Sequence, residues 1–140
     1  MAALSITAAG VAWVSGPVAA DQVAGEAFIA GALVYYNPTT GKWLKAQCDG
    51  SAAEAGADGV GMALGTADAV NARVSIALPD AVVTVGAGTA GVAYAIGRTA
   101  GSLVPVADIA STDKLTLAAL GIGSNKLQLA RVYNAGAVLA

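Results

Sequence analysis

The sequence predicts an all-β fold, a small β-barrel or β-sandwich built of short strands and hairpins. Turn-forming residues, chiefly Gly, Pro, Asn and Asp, recur along the whole 140-residue chain. The runs between these turns are short, and many are rich in the β-branched and aromatic residues that favour strands. No stretch has the period of a long amphipathic helix. Short strands separated by frequent turns are typical of an all-β sandwich or barrel.

The predicted strands follow one another along most of the chain. They occupy residues 26–30, 33–37, 42–47, 60–64, 73–78, 82–85, 92–96, 115–120 and 126–133. Helix is limited to single turns at residues 51–57 and 106–112. We therefore divide the chain into an N-terminal arm, residues 1–24, and a single β domain, residues 25–140. The arm is expected to be extended, and its lack of Lys and Arg argues against a secretory signal.

The most clearly specified element is a hairpin in ALVYYNPTTGKWLKA, residues 32–46. Pro38 presets the backbone for the second position of a type I turn, and Gly41 can adopt the left-handed conformation that closes the turn. Both arms alternate, so that Tyr35 lies on one face of its strand and Tyr36 on the other.

A weak internal repeat is visible in the same order in both halves of the chain. GEAFIAG at 25–31 resembles GVAYAIG at 91–97, and GALV at 31–34 resembles GSLV at 101–104. ALG at 63–65 recurs at 119–121, and RVSIA at 73–77 resembles KLQLA at 126–130. A twice-repeated β unit would explain this order. Chance similarity in a chain rich in Ala and Gly is the alternative.

The composition indicates a chain whose surface is covered by other protein. Apolar residues make up 56% and charged residues 11%, against about 25% charged residues in an average soluble domain. Much of the apolar content is small, because 35 residues are Ala and only 5% are aromatic. No apolar run approaches the roughly 20 residues of a membrane-spanning helix, so we predict no membrane association. The alternative is a monomer with an Ala-rich surface.

The sequence offers little chemistry for catalysis, for metals or for nucleic acids. It has no His and a single cysteine, Cys48, which removes the commonest general base and most zinc sites. The acids of DGSAAEAGAD at 49–58 lack the spacing of a calcium-binding loop. The Lys and Arg residues are scattered and the net charge is −2, which argues against nucleic-acid binding. We predict no cofactor and no enzymatic activity, although a pair of acids that meet only in space stays open.

GAGTAG at 86–91 matches the glycine spacing of a dinucleotide-binding loop. That site needs a helix directly after the glycines, so that the pyrophosphate meets a helix N-terminus. The following residues, GVAYAIGRTAG, are rich in strand formers and are interrupted by Gly97 and Gly101. We therefore predict a glycine-rich turn between two strands.

Two long stretches resemble tailed-phage capsid decoration proteins, also called cement or head-stabilisation proteins. They are GEAFIAGALVYYNPTTGKWLKAQ with the later GVGMALGTADAVNARVSIALPDAVVTVGA, and GVAYAIGRTAGSLVPVADIASTDKLTLAALGIGSNKLQL. The shared features are an early strand between glycines, a hairpin with a G-K-W turn, a glycine-flanked strand and a late T-A-G loop followed by Pro. The resemblance spans residues 25–133, departs from the pattern at Gly61 and Met62, and does not include residues 1–24.

The resemblance implies a small β-rich protein, usually a homotrimer, that binds the major capsid protein on the outside of an icosahedral head. No catalysis and no cofactor are implied. The expected location is the virion exterior, after synthesis in the host cytoplasm. A carbohydrate- or peptide-binding β module of a phage fibre or bacterial surface is the alternative.

Four aromatic residues are the candidate interface residues, because amphipathic aromatic side chains suit the centre of an interface. They are Trp13, Tyr35, Tyr36 and Trp43. The alternative for the hairpin aromatics is the core of the domain itself, and the alternation predicts that each face of the hairpin serves one of these roles. Trp13 is a candidate anchor in an arm that could add a strand to a neighbouring protein.

Overall fold

A computed structural model describes residues 6, 10–48, 59–86, 90–97, 99–105, 115–123 and 125–134. Within these residues the chain forms strands and no helix, which confirms the predicted all-β fold. The strands are β1 (Ala12–Ser15), β2 (Val18–Val23), β3 (Leu33–Asn37), β4 (Lys42–Lys45), β5 (Val60–Ala63), β6 (Arg73–Ala77), β7 (Val82–Thr84), β8 (Ala93–Ile96), β9 (Leu103–Pro105), β10 (Leu115–Gly123) and β11 (Lys126–Asn134). The single helical turns predicted at 51–57 and 106–112 lie outside the described residues.

The strands form two antiparallel sheets that pack as a sandwich. Sheet 1 has the strand order β1-β7-β11-β10-β8-β9, and sheet 2 has the order β2-β6-β5-β3-β4. The main core lies between them and is filled by side chains such as Leu33 and Met62 from sheet 2 and Val83, Leu127 and Leu129 from sheet 1. Burial of these apolar side chains is the main stabilising contribution to the fold.

The two sheets repeat the same topology. Without β1, sheet 1 reads β7-β11-β10-β8-β9, and sheet 2 reads β2-β6-β5-β3-β4. Each half of the chain therefore contributes five strands in the spatial order first, fifth, fourth, second, third. The predicted pair of repeated halves is present as a repeat of strand order.

The repeat extends to individual hydrogen bonds. In the first half the amide of Gly31 donates to the carbonyl of Ala63 at 2.8 Å. In the second half the amide of Gly91 donates to the carbonyl of Gly121, also at 2.8 Å. Both glycines have positive φ, 92° and 83°, and both lie two residues before the second strand of their half.

Two of the four sequence similarities align equivalent strands, and two do not. The ALG and RVSIA/KLQLA pairs fall on β5/β10 and β6/β11, which are equivalent in the two halves. GALV runs into the start of β3, whereas GSLV runs into the start of β9, which is equivalent to β4. The GEAFIAG segment at 25–31 contains no strand, only an isolated bridge from Phe28 to Ala67, so the predicted strand at 26–30 is wrong.

The two sheets are stacked so that their equivalent faces point in the same direction. Ala63 pairs with Ile76 in sheet 2, and Ala119, which the ALG similarity aligns with Ala63, pairs with Leu129 in sheet 1. Ala119 lies on the same face of β10 as Gly121, the residue that the hydrogen-bond repeat aligns with Ala63. Ala63 and Ile76 lie on the face of sheet 2 that points away from sheet 1, whereas Ala119 and Leu129 lie in the main core. The face that sheet 2 turns towards sheet 1 is therefore equivalent to the outer face of sheet 1.

A second apolar cluster lies on the other side of sheet 2. It is covered by residues 24–32 and 64–72, which we call the cap. The buried members of the cluster are Ala24, Phe28, Ala32, Val34, Trp43, Ala63, Ala67, Val74 and Ile76. Phe28 and Ala67 hold the two segments of the cap together by reciprocal amide–carbonyl hydrogen bonds of 3.0 and 2.8 Å. Both faces of sheet 2 are thus buried.

Five strands of the β domain begin two residues after a residue of positive φ, as β2 of the arm does after Gly16. These residues are Gly31, Asn71, Asp80, Gly91 and Gly101. In four cases the next amide donates to the carbonyl three residues before it: Ala32 to Ile29, Ala72 to Ala69, Ala81 to Leu78 and Ser102 to Thr99. Positive φ at the third position of such a turn defines type II, which favours Gly or Asn there. The same kind of turn therefore precedes strands in both sheets.

Asn71 provides a test of this turn. Its φ is 72°, where a residue with a Cβ costs about 1–2 kcal/mol, less for Asn. We expect Asn71→Val to lower the free energy of unfolding by about 1–2 kcal/mol, because a β-branched residue is an outlier at positive φ. Asn71→Gly is the control and is expected to be neutral or slightly stabilising. Urea denaturation followed by tryptophan fluorescence measures both, and equal stability of the two variants would contradict this account.

Residues 12–15 and 18–23 of the N-terminal arm are extended and lie along the sandwich edge. β1 pairs with β7 of sheet 1, and β2 pairs with β6 of sheet 2. Gly16, with φ 93°, carries the chain from one sheet to the other, and an added Cβ there would lie 2.5 Å from the Cα of Ala81. Only glycine fits this crossing.

Candidate interaction surface

The hairpin predicted at residues 32–46 is present as β3 and β4. Asn37 pairs with Lys42, and the amide of Gly41 donates to the carbonyl of Asn37 at 2.8 Å. The Asn37 Oδ1 accepts a second hydrogen bond from the Thr39 amide at 3.0 Å. Gly41 has φ 71°, as the turn chemistry predicts.

The hairpin places Tyr36 and Trp43 side by side on the face that carries the second cluster. They are direct cross-strand partners, and their ring centroids lie 5.4 Å apart with an interplanar angle of 60°. This edge-to-face geometry is favourable for aromatic pairs. Trp43 is 5% exposed, and its Nε1 donates to the Gln22 Oε1 at 3.0 Å. The indole is therefore both buried and hydrogen-bonded.

The chain after β2 crosses to the opposite edge of sheet 2 at Trp43. Ala24 forms an isolated parallel bridge with Trp43, and the Gly25 amide donates to the Trp43 carbonyl at 2.7 Å. Sheet 2 is not closed into a barrel by a ladder between its edge strands β2 and β4. The segment that follows β2 nevertheless contacts β4 at Trp43. Trp43 thus ties the hairpin to the N-terminal part of the chain.

A groove of about 430 Å³ opens beside this aromatic pair. It is lined by Ala19, Gln22, Tyr36, Trp43, Gly59, Val60, Leu78 and Pro79. The lining is mostly apolar and contains no charged side chain. Such a groove suits an apolar side chain of another molecule better than a charged ligand.

The four predicted interface residues fall into different environments. Tyr35 is buried in the main core and Trp43 in the second cluster, so neither offers much surface in the single chain. Tyr36 is half-buried and lines the groove. Trp13 is 51% exposed. Contact of these residues with a partner stays a prediction, and Trp13 and Tyr36 have the accessible surface for it.

Trp13 lies on β1, at the free edge of sheet 1. All four residues of β1 are exposed, and Val14 is 44% exposed. The indole Nε1 of Trp13 donates to the carbonyl of Gly16 at 3.2 Å, which holds the ring close to the bend that follows. Val18, 36% exposed, lies just beyond this bend on β2. Exposed apolar edge strands of this kind are templates for pairing with another chain.

Other exposed large apolar residues were not singled out in the sequence. Leu120 and Ile122 lie on β10, and Ile29 and Val70 lie on the cap. Leu120 and Ile122 alternate with the buried Gly121, a period-2 pattern that is readable in LGIG. The sequence could not show which face of this strand is exposed, because both faces are apolar.

The glycine-rich segment at 86–91 is followed by β8 and not by a helix, in agreement with the predicted turn between strands; residues 87–89 lie outside the described part. The segment 49–58 also lies outside it. No three Cys, Asp or Glu side chains of the described residues come together as a metal-binding group. In the same residues, no helix is long and apolar enough to cross a membrane. Comparison with known proteins finds no matching family model, curated protein or solved structure.

Proposed function

We propose that this protein is a structural accessory protein that binds the outer surface of a phage capsid and stabilises the shell. Its partners are the major capsid protein and other copies of the same chain, in a homotrimer as the sequence resemblance implies. It acts by contact alone, with no catalytic step, cofactor or nucleic-acid ligand. The proposed location is the exterior of the virion.

The exposed apolar edge at β1 is the observation that carries this proposal. Trp13, Val14 and Val18 place apolar surface on two strands that are the outermost members of their sheets. A soluble monomer rarely leaves a Trp half exposed on an edge strand, because such an edge invites association. Low charge and high Ala content support the same conclusion, since small side chains lose little conformational entropy when a partner covers them.

Co-sedimentation with expanded phage heads tests the proposal. Trp13→Ala is expected to weaken attachment about tenfold or more, as removal of an interface hot spot does, while the melting temperature changes little. Ile29→Ala, which shortens an exposed residue on the cap, is the matched control and is expected to leave attachment unchanged. Wild-type protein that stays in the supernatant would refute the shell as the partner. A large loss of thermal stability in Trp13→Ala would place the ring in the core.

The groove beside Tyr36 favours a second candidate function, binding of a carbohydrate or peptide by a fibre or surface module. Its apolar lining of aromatic and aliphatic residues suits a peptide side chain. In this case Tyr36→Ala would abolish binding to a glycan or peptide array, and the wild type would ignore expanded heads. The two functions therefore give opposite results in the same pair of assays.

A further inference from the structure

The outer edge of β2 offers backbone groups to a further strand. β2 is the outermost strand of sheet 2, and the carbonyl of Pro17 at its start accepts from the Leu78 amide at 3.1 Å. The N–H of Val18 lies on the opposite side of the same trans peptide, so it points away from β6. The carbonyl of Ala20 accepts from the Gln22 side chain at 3.0 Å. Pairing at this edge is therefore centred on Val18.

The equivalent edge in the second half of the chain carries a strand. β7 is the strand of that half equivalent to β2, and β1 pairs with it in antiparallel orientation, with Trp13 opposite Val83. Among the described residues, no strand pairs with the outer side of β2 along residues 18–22. Beyond this stretch Ala24 bridges to Trp43, which ends the open edge. The repeat therefore leaves one strand position unfilled.

The repeat also gives the register of the missing strand. The RVSIA/KLQLA similarity aligns Val74 with Leu127, and these residues pair with Gln22 and Val83 respectively. Gln22 is therefore equivalent to Val83, the residue that lies opposite Trp13. Direct partners in an antiparallel pair project from the same face. A strand added to β2 thus projects a side chain over the face that carries Gln22.

That face opens into the groove beside Tyr36. Ala19 and Gln22 line the groove from β2, and the irregularity between them in the pairing with β6 places both on the same face of the strand. Tyr36 and Trp43 line it from the hairpin. Its volume of about 430 Å³ and its lack of charged lining side chains fit one large uncharged side chain. The open edge and the groove are thus parts of one site, which we call the strand slot.

We propose that an extended segment of the shell protein occupies the strand slot, antiparallel to β2 and with a large uncharged side chain in the groove. In strand addition of this kind the main-chain hydrogen bonds supply affinity and the pocket selects the side chain. The shell protein is the source because Val18 also belongs to the exposed apolar edge that carries the proposed function. β1 of a second copy is already paired with β7 of that copy. The inference deepens the proposed function and rests on it, and it makes the groove part of the shell contact.

Proline substitution at Val18 tests the backbone part of the contact. Val18→Pro removes the outward N–H and leaves the Pro17 carbonyl bonded to the Leu78 amide, and edge strands tolerate proline at such a position. Val18→Ala is the matched variant, since it shortens the side chain and keeps the N–H. In co-sedimentation with expanded heads, Val18→Pro is expected to bind about fivefold more weakly than Val18→Ala, the effect of one lost hydrogen bond.

Ala19→Phe tests the pocket. The added ring occupies the groove, so attachment to heads is expected to fall about tenfold or more, as loss of a hot-spot contact does. Val70→Phe is the control, because it places the same ring on the cap at a residue that is 53% exposed. Its attachment is expected to equal that of the wild type. Equal attachment of Ala19→Phe and the wild type would show that no side chain enters the groove and would overturn the inference.

Hydrogen exchange of the wild type keeps the test decisive if a variant does not fold. On binding to heads, the amides of residues 18–22 are expected to gain protection, whereas those of residues 64–72 in the cap are not. No gain at 18–22, or equal attachment of Val18→Pro and Val18→Ala, overturns the strand slot. Wild-type protein that still sediments with heads in that case leaves the shell proposal standing.

Two further outcomes concern the occupant of the slot. Wild-type protein that stays in the supernatant refutes the proposed function, and with it the shell protein as the source of the segment. Protection at residues 18–22 in the free protein that disappears on dilution identifies a second copy as the occupant and overturns the inference.

Discussion

Trp43→Ala is expected to lower the free energy of unfolding by about 3–5 kcal/mol, the range for removal of a buried Trp or Phe side chain. Trp43 is 5% exposed and packs in the second cluster against Tyr36. Its removal leaves a cavity beneath the cap and leaves the Gln22 Oε1 without its indole donor. The midpoint of guanidinium unfolding, followed by far-ultraviolet circular dichroism, measures the loss.

Trp13→Ala is the matched control, because it makes the same chemical change at a ring that is 51% exposed. Its effect on stability is expected to be within about 0.5 kcal/mol, as for most surface substitutions. The pair separates the two roles that the sequence left open for the aromatic residues. Equal losses at the two positions would mean that Trp43 is not buried as described or that Trp13 belongs to a core.

Gly61→Ala is expected to destabilise the fold by about 3 kcal/mol, at the upper end of the usual cost of overpacking. An added methyl group would lie 2.5 Å from the Ile76 Cγ2 and 2.6 Å from the Ala77 carbonyl oxygen. The carbonyl belongs to β6, which is paired directly with β5. The sheet therefore has to open for the methyl group to fit. The change in melting temperature, measured by calorimetry, reports this cost.

Gly123→Ala is the control for this substitution, since Gly123 also lies in a strand but has no heavy atom within 4 Å of an added Cβ. Its melting temperature is expected to stay close to that of the wild type. If Gly61→Ala were equally harmless, the close approach of β5 and β6 would be wrong. Gly61 is also one of the two positions at which the chain departs from the sequence pattern of the family that it resembles.

The sequence predicted the elements whose conformation is determined by residues close together in the chain. The hairpin followed from Pro38, Gly41 and the alternation around them, and all of these features are present in the structure. The five turns that precede strands of the β domain could be predicted in part, because a Gly, Asn or Asp two residues before an apolar run is a local signal of a turn. The cap was not predicted, since residues 26–30 have the composition of a strand and lack only a neighbouring strand to pair with along their length.

The candidate interface could be predicted only as a set of residue types. Alternation showed that Tyr35 and Tyr36 lie on opposite faces of sheet 2. It could not show which face is exposed to solvent, because each face carries a buried apolar cluster. Trp43 is covered by the cap, which comes from segments distant in sequence. Leu120 and Ile122 were missed because alternating apolar residues have the same sequence pattern whether their face is exposed or buried.

The position of β1 has a consequence for chain entropy. The longest pairing within sheet 2 joins Val18 of β2 to Ala77 of β6. β1 joins Ala12 to Thr84 over a still longer stretch of chain, and its exposed side chains do little to offset the entropic cost of closing that loop. The first strand of the chain is therefore the most weakly retained part of sheet 1. It can be released while both cores remain intact.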